Sequence, residues 1–233
     1  WITWPLALRV ATDGVCAGVS FPSPNQLFGE LTADISGVAY DDDPWRVERL
    51  VWPVLDVIDN SLGEPWAAPL RTHVTGSDGG GRPGRRLRLA RTVAALCDRY
   101  GVERPSLIRD WRAGHDSDGA GGSVPPACAW QPVLWRLVAA RLDVPAPPER
   151  TPQVLAVLRD DPGRVDLPER LSILGATRLP AAHLELARSL AEHRDVHLWL
   201  PDPSPTRWAE IAATHPTPPI PRRRVSPLPT LTD

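Results

Sequence analysis

The sequence predicts an α/β fold with parallel strands, joined to a mostly helical block and forming an incomplete domain. Three observations carry this. Between Leu171 and Leu200 two short β-prone runs flank one helical stretch, and strands joined through a helix lie parallel with a right-handed crossover. From Pro44 to residue 160, apolar residues recur at three- and four-residue spacing, the period of helices with one buried face. The chain starts at Trp1 and has no methionine in 233 residues, as expected of a fragment.

Taken in order, residues 1–14 read as the end of an amphipathic helix. An apolar segment, Val15 to Phe21, follows and closes with Pro22-Ser23-Pro24. Asp43 is placed to cap the next helix with Pro44 at its first position. Val47, Leu50, Val51, Val54, Leu55 and Ile58 form its core-facing stripe, Pro53 predicts a kink or break, and the helix ends near Asn60-Ser61-Leu62-Gly63. Ser77 to Gly84 is a flexible loop. No strand precedes its glycines, which argues against a phosphate cradle.

Helix resumes near Arg85 with Leu89, Val93, Leu96 and Tyr100 on one face, and Gly101 interrupts it. Ser106 caps a shorter helix through Trp111, and Ser117 to Pro126 forms a second glycine-rich surface loop. Trp130 to Leu142 is helical with Val133, Leu134, Leu137 and Val138 inward. Residues 145–148 are a stiff proline connector, after which Thr151 caps a helix with Pro152 at its first position. Leu171 to Gly175 and Val196 to Leu200 are the strands, and Leu184, Ala187, Leu190 and Ala191 mark the helix between them. After Ile211 the chain is a proline-rich linker carrying Arg222-Arg223-Arg224.

Composition excludes several chemistries. All 26 basic residues are arginine, so the lysine that a P-loop extends to the β/γ-phosphates is missing, as is any Schiff-base lysine. Cys16, Cys97 and Cys128 are widely separated and odd in number, which fits reduced thiols in a cytoplasmic protein and no metal pair or disulfide framework. The six histidines show no metal-binding spacing, and Asp41-Asp42-Asp43 reads as a solvated cap, so neither a metal nor a catalytic group is expected. No apolar run approaches the ~20 residues of a membrane span. The ten tryptophans are read as core packing, with base stacking open to an exposed one. Charge is uneven: residues 1–81 hold 4 arginines and 11 acids, residues 82–150 hold 12 arginines and 7 acids, and the remainder is balanced. A basic middle block suits a polyanion, and equally an ordinary solvated helical face.

An ordered series of motifs adds a resemblance. Phe21-Pro-Ser-Pro24, Cys97-Asp-Arg-Tyr100, Arg104-Pro105, Asp110-Trp-Arg-Ala-Gly114, Ala129-Trp-Gln131 and Leu134-Trp135 come first. Leu167 to Gly175, Leu179-Pro180, Leu190 to Leu198, Pro203 and Trp208 to Ile211 follow. The series resembles the exodeoxyribonuclease V gamma subunit (RecC) family over roughly residues 1–211. The resemblance implies a superfamily 1 helicase-like fold whose motor is inactive: residues 1–40 in its core, 41–150 a helical subdomain, 151–211 a return to the α/β core, and 212–233 a linker. It implies a non-catalytic, DNA-binding subunit that guides single-stranded DNA from an unwound duplex end and contributes to reading the recombination hotspot Chi. Its partners would be the helicase–nuclease beta subunit and the helicase alpha subunit, which use ATP and Mg; this chain would hold no cofactor.

Family positions lining the Chi-reading tunnel carry over onto Leu96, Asp98, Arg104 and Arg150 with the residue type kept. Arg99 stands where the family has an amide and Ala95 where it has an acid. Ser23 and Gly29 replace a leucine and a tryptophan. Independently of the resemblance, Arg104 and Arg150 offer planar forks for a phosphate or a guanine edge, or form ion pairs. Asp98 suits a cytosine amine or orients Arg99 or Arg104, and Leu96 suits a tunnel wall or the core. Two readings from other classes stay open. One is an α/β nucleotide-using transferase, which needs a ligand loop at the strand C-termini; Gly175–Pro180 and Pro201–Pro205 are not glycine-rich. The other is a scaffold domain without DNA contact.

Overall fold

The computed structural model describes residues 21–76, 84–176, 179–200 and 204–213. The helix read over 1–14, nearly all of the apolar segment after it, the first glycine-rich loop and the Arg-rich tail lie outside these residues. Among the described residues the chain is mostly helical with one small parallel sheet.

The first helix, α1 (Pro24–Ser36), was not legible as an element, although its ends follow known rules. Ser23 Oγ accepts from Gln26 N–H at 3.2 Å, Pro24 occupies the first position, and Gly37 closes the helix at φ 73°. Phe28, Leu31 and Ile35 form its buried face. Helix α2 (Val47–Ser61) starts four residues after Asp43, which therefore does not cap it, and it is continuous through Pro53. The ring deprives only the Arg49 carbonyl of its donor, on an exposed turn that water reaches. Helix α3 (Ala68–Thr75), unforeseen, follows a single 3₁₀ turn at Pro65–Ala67.

Helix α4 (Arg85–Glu103) runs through Gly101 rather than stopping there. A Cβ at Gly101 would lie 3.6 Å from Pro148 Cγ, so the glycine's small profile faces a neighbour without ending the helix. Helix α5 (Pro105–Arg112) begins at Pro105, one residue before the expected serine cap. The second glycine-rich loop is folded back on itself: Ser117 bridges Ser123, and Asp118 accepts the N–H groups of Ala120 and Gly122 at 2.8 and 2.9 Å. Those donors hold the Asp118 carboxyl below the usual range.

Helix α6 spans Trp130–Leu142 as the periodicity predicts, but Trp135 and Ala139 are buried in it and Leu137 faces solvent. Helix α7 (Pro147–Asp160) overturns the connector reading, for residues 147–148 are its first turn. The prolines cost nothing where N–H groups have no helical partner, and the Glu149 carboxylate accepts Ala146 N–H at 2.7 Å. Strands β1 (Arg170–Leu174) and β2 (Asp195–Trp199) flank α8 (Ala181–Ala191) and pair in parallel, Arg170 opposite Asp195 through Leu174 opposite Trp199. Helix α9 (Pro205–Ala213) follows.

Two hydrophobic clusters result. One joins α2 to α6 around Leu50, Val54, Ile58, Ile108, Trp111 and Trp135. The other joins α1, α7, β1 and α8 around Phe28, Leu31, Val154, Leu158 and Leu190. Ala146, just ahead of α7, belongs to the first, whereas Val154 and Leu158 belong to the second.

Candidate nucleic-acid interface

The clusters leave a cavity of about 330 Å³ where α1, the 40–48 segment, the end of α4, the start of α7 and α8 meet. Arg150, on the first turn of α7, lies in its wall at 5% exposure. Its guanidinium pairs with Asp43, 107 residues earlier, which is also buried. The other Asp43 oxygen accepts Trp45 N–H at 3.0 Å, and Trp45 Nε1–H donates to the Val144 carbonyl at 2.8 Å. The carboxylate is thus fixed by the backbone before it meets the arginine. Arg150 Nε is buried with no hydrogen-bond partner among the described residues.

Of the three consecutive aspartates, Asp41 and Asp42 are solvated as expected, but Asp43 is buried and none caps α2. Asp41 pairs with Arg46 at 2.6 Å, Asp42 with Arg49 at 2.7 Å, and Asp43 with Arg150. Among the described residues, no group of three histidine, cysteine, aspartate or glutamate side chains is placed to hold a metal.

Asp98 stands on the cavity rim from α4. Partial burial, then the neighbouring Glu48 charge, push its carboxyl above the usual range, against the pull of Arg99. It forms no ion pair with Arg99 or Arg104 among the described residues. Leu96 is half-buried and Arg99 exposed, both on α4 outside the cavity wall. Arg104 links α4 to α5, half-buried, with its guanidinium 5.7 Å from the Tyr100 ring centre. Of the five candidate DNA-contact residues, Asp98 and Arg150 therefore share the cavity lining, and Leu96, Arg99 and Arg104 lie outside it.

Gly29 also lines the cavity, and a Cβ there would overlap the Tyr40 ring. Arg46 covers that ring, 4.7 Å from its centre. An aromatic surface thus stands against Gly29, contributed by Tyr40 from the next turn. Ser23 is committed to capping α1, and Ala95 is half-buried on α4. Sequence reasoning missed Tyr40, Asp43 as an arginine partner, and His183, which enters from α8. Nothing local marks a contact made across 107 residues.

Next to Asp98, Cys97 is buried in the first cluster, and burial with the Asp98 charge pushes its thiol up to about 12. Against an ordinary value of 9.0, the folded state keeps a proton that the unfolded state releases. This stabilisation is complete below pH 9.0 and is lost as pH rises toward 12, by at most about 1.4 kcal/mol per pH unit. Urea midpoints taken at pH about 8 and about 10 should fall further for the wild type than for Cys97→Ala.

Fold and cavity together define a helix-rich α/β domain whose arginine-bearing cleft sits between two cores. The family model described as RecC, N-terminal domain, matches residues 1–225, and the chain belongs to that family. It is 43% identical over 227 residues to the RecBCD enzyme subunit RecC of Mycolicibacterium smegmatis, covering 96% of this chain and 19% of that protein. It is 40% identical over 222 residues to the subunit of the same name from Mycobacterium tuberculosis H37Rv, covering 91% and 19%. With that of Escherichia coli K12 the identity is 25% over 220 residues, covering 91% and 18%. The chain thus spans about a fifth of the length of these relatives. Among the described residues no helix is long and apolar enough to cross a membrane.

Proposed function

We propose that this chain holds and steers the single DNA strand drawn from an unwound duplex end, as a non-catalytic part of a cytoplasmic exodeoxyribonuclease V-type helicase–nuclease assembly. It contributes there to reading Chi, and docks the helicase–nuclease beta and helicase alpha subunits, which use ATP and Mg. One observation carries the reading: Gly29, Asp98 and Arg150, distant in sequence and matched to tunnel-lining positions of the family, converge on one cavity. Leu96, Arg99 and Arg104 extend the track along α4 and its junction with α5.

The fold we assign is a superfamily 1 helicase-like core without a motor, supported by the parallel strand–helix–strand unit and the absence of lysine. Residues 1–40 and 151–211 belong to that core, 41–150 to a helical subdomain and 212–233 to a linker, with α7 crossing from one to the other.

Binding held by arginine–phosphate contacts weakens as salt rises, because neutralising each phosphate releases counterions. Filter binding of single-stranded DNA by the intact assembly at two salt concentrations is expected to show this dependence. Arg104→Ala should weaken binding and lower the salt slope by about 0.7, the share of one phosphate contact on a single strand. Salt-insensitive binding by the wild type, or an unchanged slope in the variant, counts against the reading or against this residue respectively.

A further inference from the structure

Two side chains that line the cavity each carry a buried nitrogen with no hydrogen-bond partner among the described residues: Arg150 Nε and His183 Nδ1. The residues are 5% and 8% exposed, so bulk water does not readily satisfy them. Buried polar atoms are nearly always paired, and two orphans on side chains that line one cavity point to a ligand that pairs them once the side chains turn toward it.

The surroundings restrict its chemistry. The His183 ring lies against Phe28, with centroids 4.9 Å apart and planes inclined by 32°, and the rings of Tyr40 and Trp45 also line the cavity. Of the lining charges, Asp43 pairs with Arg150, and Arg46 pairs with Asp41 and, at 3.6 Å, with Glu48, so the carboxylates of Asp43, Glu48 and Asp98 outnumber the two guanidiniums. A phosphate is disfavoured against those carboxylates. Burial keeps the imidazole neutral more strongly than the Glu103 charge opposes it. A neutral imidazole nitrogen and a guanidinium N–H beside aromatic walls suit a flat, uncharged heterocycle with a donor next to an acceptor.

We propose that His183 contacts a nucleobase of the bound strand, its Nδ1 and the Arg150 Nε–H together pairing one unstacked base in this cavity. This rests on the strand-holding function above and adds to it a residue from α8. Arg150 donates to a ring nitrogen or carbonyl of the base, and His183 Nδ1 accepts from the neighbouring N–H.

The test uses the intact protein in its native assembly and two probes, a mixed-sequence oligodeoxynucleotide and an abasic backbone of equal length. His183→Phe keeps a ring against Phe28 and removes the nitrogens; His183→Asn restores a polar atom at the δ position. His183→Phe is expected to lose about three- to tenfold in affinity for the base-bearing strand, with the loss confined to that probe, and His183→Asn to recover part of it. Wild-type affinity in His183→Phe, or an equal loss on both probes, overturns the proposal while strand binding stands. A wild type that binds neither probe overturns the strand-holding function and this proposal together. Imidazole deuterium exchange in the wild type needs no variant to fold. His183 should exchange more slowly with the base-bearing strand than with the abasic one, and equal rates overturn the contact.

Discussion

Asp43→Ala is expected to destabilise the protein by about 3–5 kcal/mol, the cost of leaving a buried charge without its partner. The Arg150 side chain is 5% exposed and that of Asp43 13%, so water cannot take over the lost interaction. The substitution also removes the acceptor of Trp45 N–H. Urea unfolding followed by tryptophan fluorescence checks the magnitude. Replacing both members, Asp43→Ala with Arg150→Met, should regain most of the loss, because an apolar side chain of similar length carries no charge to strand. An unchanged midpoint in Asp43→Ala would mean that the pair contributes nothing. The same energetics bear on strand binding: Arg150→Ala leaves Asp43 stranded, so lost DNA affinity in that variant counts only once its folding has been measured.

Trp135→Ala should cost a similar amount, about 3–5 kcal/mol, for a different reason. Trp135 is 1% exposed, with its ring centre 5.6 Å from that of Trp45 and 6.5 Å from that of Trp111. Trp111 in turn meets the edge of Tyr100 at 5.7 Å and donates its Nε1–H to the Ser117 carbonyl at 2.9 Å. Truncation opens a void that three rings and a hydrogen-bonded loop cannot collapse to fill. A loss this large is a substantial fraction of a typical domain's 5–15 kcal/mol. A shift in urea midpoint equivalent to less than about 1 kcal/mol would show that the ring stack relaxes around the gap. Because Trp45 also anchors Asp43, the two predicted losses should be less than additive when combined.

The helices at 47–61, 85–103 and 130–142 were legible because each buries a stripe over three or more turns, long enough for the period to stand out. The parallel strands were legible because two short apolar runs, Leu171 to Gly175 and Val196 to Leu200, flanked one helical segment. Helix α1 was not, since Phe28, Leu31 and Ile35 offer only three apolar contacts and its signals lie in Ser23 and Gly37. Helix α7 was read five residues late because prolines 147 and 148 suggest a connector in isolation, whereas Glu149 makes them a helix start. In the candidate site, Asp98 and Arg150 were visible as residue types with suitable chemistry. Their cavity was not: it depends on Asp43 reaching α7, Tyr40 covering Gly29 and His183 arriving from α8. These are contacts of the folded chain, and no local spacing encodes them.

The paired strands have a practical consequence. Two strands alone are marginal in water, and neither outer edge has a backbone neighbour among the described residues. Leu174, Leu198, Trp199 and Leu200 stand 43–57% exposed along them. Open edges bearing such side chains recruit other chains, so a preparation of this segment by itself carries an adhesive rim, and polar replacement at Leu198 or Trp199 is the direct way to keep it dispersed.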